Sequence, residues 1–200
     1  MKKGCLIAAG IVVVLVLIPG FAIQSIYNDI VAKEQEVGQK WAQVESAYQR
    51  RADLIPNLVA TVKGYAAHES EVLETVTASR AQVGSVRVSQ DVLNNPAEFQ
   101  KFQQAQSGLS SALSRLMVVV EKYPDLKANE NFLELQSQLE STENRIKIER
   151  DRFTESARIY NTRIKQFPAN LVAGFFGFKE KQQFQSAPGS EKAPVVNFGK

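Results

Sequence analysis

From residue 24 to 167 the apolar residues recur every three or four positions, the period of a helix buried along one face. Val37, Trp41, Val44 and Tyr48 form the first stripe, and Leu58, Val62, Tyr65, Val72 and Val76 the second. The third runs Phe99, Phe102, Leu109, Leu113, Leu116 and Val120. The fourth runs Phe132, Leu135, Leu139, Ile146, Phe153, Ala157, Tyr160, Ile164 and Phe167. No comparable stretch alternates with period two. The pattern therefore predicts an all-α fold, an antiparallel up-and-down four-helix bundle over residues 24–184.

The breaks between stripes carry their own chemistry. Asn94, Asn95 and Pro96 place a proline in a first helical turn, where its missing N–H costs nothing. Tyr123, Pro124 and Asp125 stop that helix, and Asn129 is suited to cap the next, worth about 1 kcal/mol. Phe167 and Pro168 end the fourth. One break is open to two readings. Asp53 with Pro56 predicts a tight reversal over Arg50 to Asn57. Yet the apolar phase passes through that point undisturbed, as it would in one long helix kinked at Pro56. The reversal is the expectation, because it yields four segments of comparable length.

Ahead of the bundle, nothing from Gly4 to Ile23 carries a charge. Twenty such residues cover the roughly 30 Å of a bilayer core at 1.5 Å per residue, so residues 1–23 are expected to be a transmembrane anchor. Gly20 and Ala22 could serve a signal-peptide cleavage site. The apolar run is long, however, and continues without a break into the first helix, which favours an uncleaved anchor. Lys2 and Lys3 touch this run directly, whereas the next basic residue is Lys33. The chain is therefore expected to be single-pass in a bacterial inner membrane, its amino terminus cytoplasmic and its bundle outside. After residue 185 the chain turns to Ser, Pro and Gly and reads as a loose tail over 185–200, with Val195, Val196 and Phe198 able to dock.

An up-and-down bundle has a consequence in space. The turns at Arg50–Asn57 and Glu121–Asn129 would meet at the end far from the bilayer. Arg50, Arg51, Asp53 and Asn57 would there face Glu121, Tyr123, Asp125 and Asn129, a polar cluster suited to binding a partner protein. The segment from Pro168 to Phe184 would return to the membrane. Its Phe175, Phe176 and Phe178 beside Lys179 suit a lipid interface, although the same residues could fold back as a hydrophobic cap.

Composition narrows the function classes. There are 24 basic and 21 acidic residues, an excess too slight to imply nucleic acid. The single cysteine, Cys5, permits no internal disulfide and has too few residues ahead of it for lipidation. The single histidine, His68, is expected at the surface; one histidine is too few for a ferritin-like di-metal site or a histidine-rich zinc centre. No Gly-x-Ser-x-Gly elbow or phosphate-binding glycine loop is present. No catalytic residue, metal or cofactor is expected. Polar residues do fall on the buried stripes, namely Glu69, Gln106, Thr142 and Glu149, with Arg51 joining them if its helix continues. Each must be paired or hydrogen-bonded.

Several blocks together resemble the LemA family. They are Arg50-Arg51-Ala52-Asp53-Leu54-Ile55-Pro56-Asn57-Leu58-Val59 with Val62-Lys63-Gly64-Tyr65, and Glu121 through Asn129. Trp41, the run Leu139 through Ile146, Tyr160-Asn161 and Phe167-Pro168 extend the likeness over nearly the whole chain. The resemblance implies a membrane-anchored bacterial helical protein. It implies no reaction, only associations with magnetosome-building systems and with other envelope proteins. The expected role is a scaffold or interaction protein of the cell envelope, with the bilayer and envelope proteins as partners and self-association open. The alternative is a lipid-binding or membrane-remodelling protein acting through residues 168–184.

Overall fold

In a computed structural model of the chain, the backbone is described over residues 2–86 and 90–184, and the side chains over 17–86 and 92–184. The chain forms α1 (Lys2–Tyr65), α2 (Ser70–Ser85), a short 3-10 helix (Gln90–Asn94), α3 (Pro96–Val120), the single turn α4 (Pro124–Lys127), α5 (Glu130–Lys165) and α6 (Ala169–Phe176). Among the described residues there is no strand, so the all-α expectation stands. Among the same residues no helix is long and apolar enough to cross a membrane. Most side chains of the expected anchor, and the whole expected tail with Val195, Val196 and Phe198, lie outside the described residues.

The expected reversal at Arg50–Asn57 is absent. α1 passes through Pro56 without a break, and the undisturbed apolar phase is followed by the backbone itself. A proline inside a helix gives no N–H to the carbonyl four residues back. Here that carbonyl belongs to Ala52, and the Nε of Arg80 from α2 donates to it at 2.9 Å. The orphaned acceptor thus finds its partner in another helix. Leu54, Ile55 and Leu58 around the proline are all buried, so packing carries the helix through a residue that local preference would use to end it.

The reversal is displaced to Ala66–Glu69. Glu69 N–H reaches back to Ala66 O at 3.1 Å, and no side chain caps the helix that follows. Gly64, a weak helix former by about 1 kcal/mol, sits just before this turn, and the buried Ala66 anchors it between Val62 and Leu73. α5 runs antiparallel to α1: Asp29 meets Arg163, Arg51 meets Glu143, and Tyr65 meets Asn129. α2 and α3 form a shorter hairpin laid against that pair. The layout is one rod of 64 residues with partners of 16, 25 and 36, in place of four rods of comparable length.

The other breaks follow the local chemistry. Asn95 accepts from the N–H groups of Ala97 and Glu98 ahead of Pro96. Asn129 accepts from Phe132 N–H at 3.0 Å. Gly177 takes the left-handed conformation, which lets Phe178 N–H bond back to Ala173 O and end α6. The chain then runs back along the bundle. Asn161 clasps Lys181 through two hydrogen bonds of 2.9 Å, and Gln182 N–H donates to Leu93 O. Phe184 is thereby laid against Trp41, Phe99 and Phe153.

Two stripe residues depart from their expected burial. Tyr65 at the end of α1 and Phe167 beyond α5 are exposed, while the small Ala66 and Ala169 just after them take the buried places.

Candidate functional site

The core is two hydrophobic clusters in series. One gathers Trp41, Val44, Phe102 and Phe153 on the side of the amino-terminal half of α1. The other gathers Leu58, Val62, Leu109 and Leu116 toward the far end. Between them on α1 stands Arg51, 1 % exposed. Its Nη1 donates to Glu143 at 2.7 Å and to Ser110 Oγ at 2.8 Å, and its Nη2 to Gln106 Oε1 at 2.5 Å. The guanidinium also lies 5.1 Å from the ring centre of Tyr48. One side chain thus ties α1 to both α3 and α5. Arg51 offsets the burial of its charge with three different partners for its two terminal nitrogens, while its buried Nε has none.

This hub is the floor of a groove of ≈ 450 Å³ between α3 and α5, lined by Gln103, Gln106, Ser107 and Ser110 on one wall and Glu143, Ile146 and Arg150 on the other. Phe184 closes one end, with the Arg150 guanidinium 4.3 Å over its ring. Burial pushes the Tyr48 hydroxyl above its ordinary pKa. Ser110 spends its own proton on Gln106 O at 3.1 Å, so it has no base to activate it. Among the described residues no group of three His, Cys, Asp or Glu is placed to hold a metal ion.

The structure divides the expected summit into two places. Glu121, Tyr123, Asp125 and Asn129 do lie at the far end. There Tyr123 OH donates to Glu69 at 3.1 Å, Asn129 Nδ2 donates to Tyr65 OH at 2.9 Å, and Lys127 pairs with Glu121 at 2.6 Å. Arg50, Arg51, Asp53 and Asn57 do not join them. They sit inside α1, about 12–22 Å back from its end at Tyr65 along a helix that rises 1.5 Å per residue. The Arg–carboxylate pair forms, but across helices to Glu143 rather than within the turns.

The mid-helix group is itself split by helical geometry. Arg51 points inward. Arg50, Asp53 and Asn57 line a polar cleft of ≈ 540 Å³ between α1 and α5, faced by Asn131, Glu134 and Gln138. Arg50 donates to Gln138 Oε1 at 3.1 Å, and Asp53 accepts from Gln49 at 2.7 Å. Asp53 and Asn57 are exposed and make no contact with α5 through hydrogen bonds.

The remaining polar stripe residues are accounted for as follows. Thr142 is buried and donates to Gln138 O at 2.7 Å. Glu149, also buried, accepts from Arg145 at 2.7 Å and Arg152 at 3.1 Å through one oxygen, while the other has no partner. His68 is exposed. Of the membrane-facing candidates, Phe178 is half-buried against Tyr27 at 5.7 Å, Phe176 touches Tyr27 at 4.7 Å while remaining half exposed, and Phe175 and Lys179 face out. Sequence reasoning missed Glu143, Ser110, Arg150 and Phe184 as members of the groove. Glu143 and Phe184 lay within singled-out segments, but none of the four announces its partner locally.

A family model described as "LemA family" matches residues 40–198. Similar proteins include magnetosome protein MamQ of Magnetospirillum gryphiswaldense, 27% identical over 186 residues, an alignment covering 85% of this chain and 68% of the relative. Magnetosome protein MamQ 1 of Paramagnetospirillum magneticum is similar to the same extent, 27% over 186 residues with the same coverage. Protein LemA of Metamycoplasma hominis is 24% identical over 146 residues, covering 73% of this chain and 63% of that protein.

Proposed function

The chain belongs to the LemA family, and from that premise we propose that it is a membrane-anchored interaction protein of the bacterial cell envelope, holding partner proteins in the polar cleft between α1 and α5. One observation carries the reading. The block that most resembles the family, Arg50 to Val59, sends its apolar residues and Arg51 into the core but leaves Arg50, Asp53 and Asn57 lining a cleft. Structural need accounts for the inward half; the outward half is available for recognition. The cleft is polar with both signs of charge, which suits the side chains of a protein segment more than an apolar small molecule.

The uncharged run from Gly4 to Ile23 serves as the anchor, and Lys2 and Lys3 keep the amino terminus cytoplasmic. Because α1 is one rod from Lys2 to Tyr65, a partner in the cleft sits at a fixed height, about 45 Å beyond Ile23 at 1.5 Å per residue. The names of the relatives, magnetosome proteins among them, denote no reaction, and the role assigned to this chain is binding.

The test is photo-crosslinking in cells from position 53, with position 111 on the exposed side of α3 as control. Envelope proteins captured at 53 and not at 111, and lost when Asn57→Lys is added on the same cleft wall with thermal unfolding unchanged, support the proposal. Equal yields at both positions would remove the cleft from consideration.

A further inference from the structure

We infer that α6 is an interfacial foot, resting its outer apolar stripe in the headgroup and acyl boundary of the bilayer beside the exit of α1. The inference rests on residues 4–23 being the anchor. α6 has two apolar faces. Ala169, Val172 and Ala173 are buried against α1 and α5. On the opposite side Leu171 and Phe175 stand four residues apart and are 63 % and 84 % exposed, and Phe167, in the turn just before α6, is 80 % exposed. Isolated apolar residues at a surface need no explanation, but three large ones exposed within nine residues do.

Position identifies what covers it. Phe176 packs on Tyr27 with ring centres 4.7 Å apart. Tyr27 lies four residues beyond Ile23, about 6 Å along the helix. Leu17, Ile18, Phe21 and Ile23, just before it on α1, are large, apolar and exposed as well. The stripe therefore sits at the level where α1 leaves the lipid. Eight residues of helix are about 12 Å, far too short to span, so α6 lies in the interface rather than across it. Lys179 at the end of the stripe is exposed, as a basic residue beside an apolar helix face is where anionic headgroups are met, while Lys165 at its start pairs with Glu180 at 2.8 Å.

The experiment uses the full chain in vesicles of phosphatidylcholine and phosphatidylglycerol, with Cys5→Ser and one environment-sensitive fluorophore on a single introduced cysteine. Labels at Leu171→Cys and Phe175→Cys are expected to lose about half their emission to lipids carrying a shallow quencher, less to a deep quencher, as a probe at the headgroup boundary does. A label at Leu133→Cys, exposed at the far end of α5, is expected to lose none. The label at Phe21→Cys reports the anchor separately. If Phe21→Cys is quenched while Leu171→Cys and Phe175→Cys behave like Leu133→Cys, the foot is wrong and the anchor survives. If Phe21→Cys is not quenched either, both fall. Protection of positions 171 and 175 that disappears on diluting the protein in lipid would show a second copy covering the stripe, which also overturns the inference.

Discussion

Arg80 Nε donates at 2.9 Å to the carbonyl of Ala52, the acceptor that Pro56 leaves without its helical donor. The bond joins α2 to α1 at a point where α1 lacks its own hydrogen bond. It makes the course of a 64-residue helix depend on a side chain 28 positions away.

Arg80→Ala is expected to destabilise the protein by about 1–3 kcal/mol, the cost of an unpaired buried acceptor. In a Pro56→Ala background the helix supplies its own donor, and the same change is expected to cost markedly less. A double-mutant cycle by urea unfolding measures the difference. Equal costs in both backgrounds would show that Arg80 acts elsewhere.

Arg51 is expected to be structural. Its side chain is 1% exposed and Glu143 is 47% exposed. Arg51→Met strands Gln106 in the core and is expected to cost about 3 kcal/mol. Glu143→Gln leaves a half-solvated neutral partner and should cost under about 1 kcal/mol. Adding Gln106→Leu to Arg51→Met should recover most of the loss in denaturant unfolding. Unchanged unfolding of Arg51→Met would contradict the hub.

Asn161 holds the returning segment by both ends of its amide. Asn161→Ala is expected to speed hydrogen exchange over residues 178–184. Because Phe184 packs on Trp41, 6.2 Å between ring centres, it should also shift the tryptophan emission to the red. Asn161→Asp keeps the acceptor for Lys181 N–H and should show a smaller change. Exchange as slow as in the parent would mean that Phe184 alone pins the segment.

Two carboxylates should shape the pH dependence with opposite sign. The hydrogen bond from Arg163 holds Asp29 below its ordinary value of 3.8. Its contribution is full above that pH and is lost as pH falls through the depressed folded value. Burial raises Glu45 above 4.5, so its contribution is present below pH 4.5 and lost as pH rises through the raised value. Asp29→Asn should make the acid limb of the melting-temperature profile shallower. Glu45→Gln should raise the melting temperature near neutrality and lose that advantage near pH 4.

The amino-acid sequence by itself determined the helical class, the apolar faces, and the starts of α3 and α5, since a 3.6-residue period and the caps at Asn95 and Asn129 act within one or two turns. It also showed that Gln106, Thr142 and Glu149 would be polar and buried. It did not decide whether Pro56 ends a helix. The local cost of about 3 kcal/mol for an internal proline argues for a break, while Arg80 and the packing of Leu54, Ile55 and Leu58 remove that cost only once the chain is folded. Moving the turn to Ala66–Glu69 carried Arg50, Asp53 and Asn57 away from the far end. It also placed Arg51 opposite Glu143, 92 positions on. Which face of α6 turns inward was likewise settled by Tyr27. Such pairings leave no mark on either residue's neighbours in sequence, because they exist only where two helices cross.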